Sequence, residues 1–406
     1  MKREVSDMLS NYIILRTERL NVPDAPALGD RGPIAGPVAT PSGPPAPESV
    51  EVLSVQLTKA ERDDLRRDPR THAIATPMPL SLIKPKGDPE VAAAAAGATW
   101  GVQAVGADTS PFTGDGAVLA VLDTGIDPTH PAFAGVELIR RNFTTESDDD
   151  VHGHGTHCAG TIFGRAVDGM RIGVAPGVKK AIIAKVLGSG GGSSKELVEA
   201  IQWSVEKGAN VVSMSLGIDF PGFVKFLIED AGLETEPATS IALEQYRANV
   251  NLFSRLADLL RAQSGVQTSC IMVAASGNES DRPNYEIAVA PPAAGTGVIA
   301  VGALAKGNGQ GHHVANFSNS QCNLSAPGVG VISAVPGGGL ASMNGTSMAT
   351  PHVAGVAALW IEKQLADSGS IRSDVLTGQL LATADRSGLM PLMERDDVGE
   401  GIVRAP

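Results

Sequence analysis

Five short runs in the chain are apolar almost from end to end: 117–122 (AVLAVL), 181–187, 210–214, 271–275 and 298–304. A strand with one wet face alternates apolar and polar residues, whereas a strand buried on both faces does not. Each run has strand length, and stretches of helical periodicity such as 195–207 fall between them. The pattern predicts an α/β protein whose mainly parallel sheet is covered by helices on both faces. A chain of 406 residues, 43% of them apolar, is long enough to bury one such core beside a smaller module.

Open α/β sheets gather their sites at the carboxyl ends of the strands. Run 117–122 ends in Asp123-Thr124-Gly125, and run 271–275 ends in Ser276-Gly277-Asn278. Asp before Gly is also an ordinary turn, and Asn in a tight turn also serves a left-handed backbone. Residues 152–160 (HGHGTHCAG) put His154 at the start of a helical pattern. His152, His154 and His157 lack an acidic or cysteine partner at a familiar zinc spacing, so no metal is expected there. Residues 344–355 (NGTSMATPHVAG) set Ser347 after a small-residue turn and before run 353–361, which reads as a buried helix. At a helix N-terminus, free N–H groups and the helix dipole stabilise a developing oxyanion. Gly-Thr-Ser in front of a helix is equally a plain N-cap. A hydroxyl nucleophile needs a base and a carboxylate that orients the base. The chain offers both upstream, in the order Asp123, His154, Ser347, with the Asn278 amide as a candidate oxyanion donor.

With DTGIDPTHP from Asp123, HGTHCAG from His154, SLG from Ser215, AASGN from Ala274 and GTSMATPHVAG from Gly345, the chain resembles the subtilisin-like serine proteases. The resemblance covers roughly residues 99–406, including the closing DVGEGIVRAP. It implies a three-layer subtilisin-like fold and a serine endopeptidase that hydrolyses peptide bonds through an acyl-enzyme on Ser347. His154 would be the base, Asp123 its orienting carboxylate and Asn278 the oxyanion donor, with no cofactor required. Substrate would lie as an added strand between two backbone edges. The matching positions are Gly190, Gly191 and Gly192 in the glycine run 188–193, and Ser215, Leu216 and Gly217. The glycine run also reads as a flexible surface loop. Ala274, Ala275, Ser276 and Gly277 would line the primary specificity pocket, with its floor in 285–294. His157 reads as buried in the helix start and His152 as a loop residue. Cys158 follows His154 by four residues, which implies a free thiol behind the base, as in proteinase K-like members. The three cysteines, Cys158, Cys270 and Cys322, make no disulfide framework.

Residues 1–95 carry strand-like runs at 11–16 and 50–57, a helix over 58–67 with Thr58 and Glu61 as a capping box, and a further strand over 71–83. They resemble the family's propeptide, a small α+β module that assists folding and blocks the cleft, here with a Pro-rich linker at 21–47. The peptidase domain is expected over 96–406, with the N-terminal module as its partner and a processing point near 92–98. Residues 219–246 form an insertion with two amphipathic pieces, 223–232 and 238–246, either a lid or surface elaboration. Segment 164–174 lacks the asparagine-rich loop of calcium-binding relatives. Asp168 and Asp127 leave calcium open, with Arg165 and Arg171 opposing it.

The acidic run 148–150 reads as a solvated loop. The net charge of −12, from 32 basic and 44 acidic residues, argues against nucleic acid and leaves peptides or proteins as substrates. No run approaches the ~20 apolar residues that span a bilayer, and residues 1–9 contain no apolar signal core. A cytoplasmic protein with no membrane association is the expectation. Two other readings stand beside the endopeptidase. One is a transpeptidase or macrocyclase, in which an amine under a lid captures the acyl-enzyme. The other is a pseudoprotease that only binds, disfavoured because all four chemical positions are filled.

Overall fold

A computed structural model describes residues 10–19, 48–92, 96–262, 270–307, 309 and 311–406. The linker at 21–47, residues 1–9 and part of the expected processing region, 93–95, lie outside the described residues.

The apolar runs assemble into one eight-stranded sheet. Across it lie His313–Val314, Val298–Ala305, Ile271–Ala275, Val211–Met214, Val118–Asp123, Lys180–Lys185 and Glu137–Asn142, with Leu324–Pro327 also paired to Val298–Ala305. Every pairing is parallel except that of His313–Val314. Successive side chains on a strand point to opposite faces, so a strand buried on both sides feeds two cores. Leu119 and Val121 enter one core, with Val353, Val356 and Leu359 of the helix Thr346–Ser368. Ala120 and Leu122 enter the other, with Leu197 and Ile201 of Ser194–Glu206 and Leu252 and Leu256 of Thr235–Ala262. These are the three layers expected from the sequence. Thr346–Ser368 carries no polar stripe along its buried length, as suits a helix enclosed on all sides. Among the described residues, no helix is long and apolar enough to cross a membrane.

At the N-terminus, Asn11–Arg19 pairs antiparallel with Glu48–Gln56 and with Thr71–Ala75. The helix Lys59–Leu65 begins with the expected capping box: Thr58 N donates to Glu61 Oε2 at 2.8 Å and Glu61 N to Thr58 Oγ1 at 3.3 Å. Ile13, Leu15, Ala73 and Ala75 are buried in the second core, the helix-side core of Ser194–Glu206 and Thr235–Ala262, so this small sheet is seated on those two helices. The strand expected over 71–83 is two strands. Thr76 O accepts from Asn249 Nδ2 at 2.9 Å, and Met78 exchanges hydrogen bonds with Ser194, its N–H to Oγ at 3.0 Å and its carbonyl from the backbone N–H at 2.9 Å. The chain therefore leaves the small sheet at 76–78 and continues as Pro79–Leu82, which pairs with Gly192–Ser193 and Leu216–Ile218. Within the insertion, both amphipathic pieces are helical. The second runs far beyond 246, as the 28-residue helix Thr235–Ala262.

Candidate active site

Asp123 ends the central strand Val118–Asp123, and His154 opens the helix His154–Phe163. Their contact requires the helix start to lie on the Asp123 turn. A Cβ at Gly155 would stand 2.2 Å from Gly125 O, so only glycine permits the approach. Asp123 Oδ1 accepts from His154 Nδ1 at 2.8 Å and from Thr124 N at 2.7 Å, and both side chains are buried. Burial alone lowers the imidazole pKa. The Asp123 carboxylate and Cys158 outweigh it and hold His154 well above the ordinary histidine value. Ser347 is the second residue of Thr346–Ser368, in the first turn, where N–H groups have no intrahelical acceptor. Asn278 stands at the end of Ile271–Ala275, and its Oδ1 accepts from Thr346 N and Oγ1, each at 2.9 Å. Two donors on the oxygen turn the Nδ2 donor into the cleft. Cys158 lies behind the imidazole, its Sγ 3.8 Å from His154 Nδ1 and bonded at 3.4 Å to Ser347 O, and burial pushes its thiol up.

Both backbone edges are engaged, and by the chain itself. The cleft strand Pro79–Leu82 pairs antiparallel with Gly192–Ser193 on one side and with Leu216–Ile218 on the other, Ser81 opposite Gly217. Gly191 lets it come close: at φ +87°, a Cβ there would stand 2.5 Å from Leu80 O. Beyond the strand, Ser347 Oγ is 3.0 Å from Ile83 O and 3.3 Å from Ser215 O. Asn278 Nδ2 donates to the next carbonyl, Lys84 O, at 2.9 Å. His154 Nε2 is buried with no hydrogen-bond partner among the described residues. The hydroxyl is thus turned to a peptide carbonyl and away from the imidazole. Lys86 and Asn344 then exchange two hydrogen bonds, Lys86 N to Asn344 O at 2.8 Å and Asn344 Nδ2 to Lys86 O at 3.0 Å.

Most sequence expectations meet here, and several are corrected. Ala275, Ser276 and Gly277 line a cavity beside Ile83, with Ile287, Ala288 and Ala290 from the expected floor. Ala274 does not line it, because the strand's alternation sends its side chain into the helix-side core. Gly190 has nothing near the position of its absent side chain, unlike Gly191 and Gly192. His157 is buried as expected, its Nε2 donating to Val331 O at 3.0 Å and Ala341 O at 3.1 Å, and burial drives its pKa down to about 3. His152 lies in the exposed loop. Asp148 and Asp149 are exposed, but Asp150 is buried and not solvated. It accepts from Gly153 N, Thr156 N, Thr156 Oγ1 and Thr124 Oγ1, at 2.6–2.8 Å, and so caps the helix that carries His154. Asp127 spends its carboxylate on Thr129 and Gly337. Among the described residues, the one cluster of three close His, Cys, Asp or Glu ligand atoms is Asp123, His154 and Cys158 themselves. What covers Ser347 is the segment 83–84. Insertion residues Phe220, Pro221, Leu243 and Tyr246 wall the cavity to its side.

Residues 114–399 match the profile of the subtilase family. M-protease of Shouchella clausii is 35% identical over 325 residues, covering 78% of this chain and 70% of that protein. Subtilisin Savinase of Lederbergia lenta is 36% identical over 273 residues, 65% of this chain and 84% of its own length. An intracellular serine protease of Paenibacillus polymyxa is 32% identical over 292 residues, 69% and 78% of the two chains.

Proposed function

The chain belongs to the subtilase family and is a serine endopeptidase, and from that premise we propose a role for each group in the cleft. Ser347 Oγ attacks the scissile carbonyl carbon while His154 Nε2 takes the hydroxyl proton. Asn278 Nδ2 donates to the oxyanion, and Asp123 holds the imidazolium through Nδ1. The C–N bond breaks as His154 returns the proton to the leaving amine. Water then repeats the sequence on the acyl-enzyme, again with His154 as base. These steps draw on side chains and water only. Substrates are extended peptides that replace the cleft strand on the edges Gly192–Ser193 and Leu216–Ile218.

We further propose that the protein is made as a proenzyme whose N-terminal module is its own inhibitor. One observation carries this reading: the cleft strand is paired on both substrate edges directly above Ser347. The segment also sits out of register for its own cleavage. In a productive complex one carbonyl meets both the nucleophile and the oxyanion donor. Here Ser347 faces Ile83 O and Asn278 holds Lys84 O.

Intact-mass spectrometry with a fluorophosphonate, beside the Ser347→Ala variant, tests both proposals. The expected result is a shortened wild type that gains one phosphonyl group and a full-length, unlabelled variant. A wild type that shortens without ever labelling would sink the assignment of Ser347. A full-length chain that labels as fast as a free subtilase would sink the inhibitor role.

A further inference from the structure

The cavity beside Ile83 is larger than its occupant needs. It measures about 360 Å³ and continues past Ile83 to Ser81, where it is walled by Phe220, Pro221, Leu243 and Tyr246. Those four residues belong to segment 219–246, read from the sequence as an insertion into the family core. The wall is fixed. The Phe220 and Tyr246 rings meet edge-on at 5.5 Å, and Tyr246 Oη donates to Val289 O at 3.4 Å, joining the insertion to the pocket floor. Residues i and i+2 of a strand share a face, and Ser81 and Ile83 both line the cavity while Leu80 is buried elsewhere in the helix-side core.

The lining is apolar and partly open. Leu243 is 51% exposed and Ile287 40%, so both present apolar surface to the opening of the cavity. The two acids on the rim are already committed: Asp219 Oδ1 accepts from Gly222 N at 2.9 Å, and Glu279 Oε2 from Asn319 Nδ2 at 2.6 Å. The inhibitory segment presents only a serine hydroxymethyl to this space.

We propose that the insertion builds a second selectivity pocket, and that it takes a large apolar or aromatic side chain of the substrate. That side chain belongs two residues before the one in the primary pocket, at the position Ser81 holds in the closed form. The inference rests on the reading of the cleft strand as an occupant of the substrate track. It turns the insertion from surface elaboration into a determinant of specificity.

The test is a peptide series, identical except for Ala, Phe or Lys at that third position, assayed on the processed enzyme and on its Leu243→Ser variant. Leu243 is half exposed, so its replacement leaves the fold and Ser347 in place. Fluorophosphonate labelling of both proteins is measured in parallel. Burial of an aromatic ring predicts kcat/KM roughly 10- to 100-fold higher for Phe than for Ala in the wild type. The Phe-to-Ala ratio should fall several-fold in Leu243→Ser, each protein's rates being normalised to its own fluorophosphonate labelling. Labelled wild type with equal rates for Phe and Ala, or with Lys preferred, overturns the pocket and leaves the endopeptidase standing. A preference that survives Leu243→Ser and also Tyr246→Ala overturns the insertion as its source. Failure of labelling would strike the mechanism first, and this inference with it.

Discussion

Pro351 lies inside the helix Thr346–Ser368 and has no N–H to give the carbonyl four residues before it, which is that of Ser347. The freed oxygen accepts instead from Ser215 Oγ at 3.1 Å and from Cys158 Sγ at 3.4 Å. The backbone at Ser347 is thereby tied both to Ser215 and to the thiol behind the imidazole. Asn278 works at the same scale. Since Thr346 fixes its oxygen and the amide nitrogen alone reaches the cleft, Asn278→Ala should lower kcat roughly 100- to 1000-fold with little change in KM. Equal losses in both constants, measured on the processed enzyme, would place the residue outside the oxyanion site. Asp150→Ala leaves several buried donors unpaired around the His154 helix start, which should cost about 3 kcal/mol or more of stability. Chemical denaturation of Ser347→Ala with and without the second change reads this directly. Asp123, His154, Asn278 and Ser347, which the fold brings to one cleft, were legible as candidates because each sits in a motif on a recognisable element. Asp150 was not, because an acid in an acidic run gives no sign of which neighbour turns inward. Pro351 was legible in principle, four residues after the serine, but what its freed carbonyl would meet is a tertiary fact.

At the scale of elements, the sheet was readable because burial on both faces removes polar residues from its strands. The division of 71–83 was not, because its second half finds its partners more than a hundred residues away, on Ser194 and Leu216–Ile218. Non-local pairing leaves no periodicity of its own. Leu80 anchors that second half. It is 2% exposed and packed in the helix-side core, although its strand belongs to the N-terminal module. Leu80→Asp removes an apolar contact worth about 1.5–3 kcal/mol and sets a charge in its place. The module should hold the cleft at least 10-fold more weakly. A time course of peptide hydrolysis by freshly folded protein should then show a shorter lag than wild type. An unchanged lag would mean that the small sheet, and not the cleft strand, dominates the contact.

For the molecule as a whole, two buried histidines set the acid limit. Burial drives His157 to about 3 and His352 to about 4, so both stay neutral in the fold while the unfolded chain protonates near pH 6.5. The unfolded state therefore binds more protons, and stability falls as pH drops below about 6.5. His154 acts in the opposite sense. Its raised pKa contributes stability that is complete below about 6.5 and lost as pH rises through the raised value. Over the acid interval that gain is small, and two rings against one decide the sign. The melting temperature of Ser347→Ala should decline from about pH 7 to about pH 5, and a level curve would contradict this.

The cleft strand and the cleft it fills belong to one polypeptide. In the proposed proenzyme, substrate therefore meets a competitor whose local concentration is set by chain linkage, on the order of millimolar for short connections, whatever the amount of protein in solution. Diluting the intact protein leaves that competition untouched. Hydrolysis of one bond in the proposed processing region near 92–98 would change its molecularity: the module would become a separate solute, and the same hydrogen bonds that held against any dilution would then yield to it.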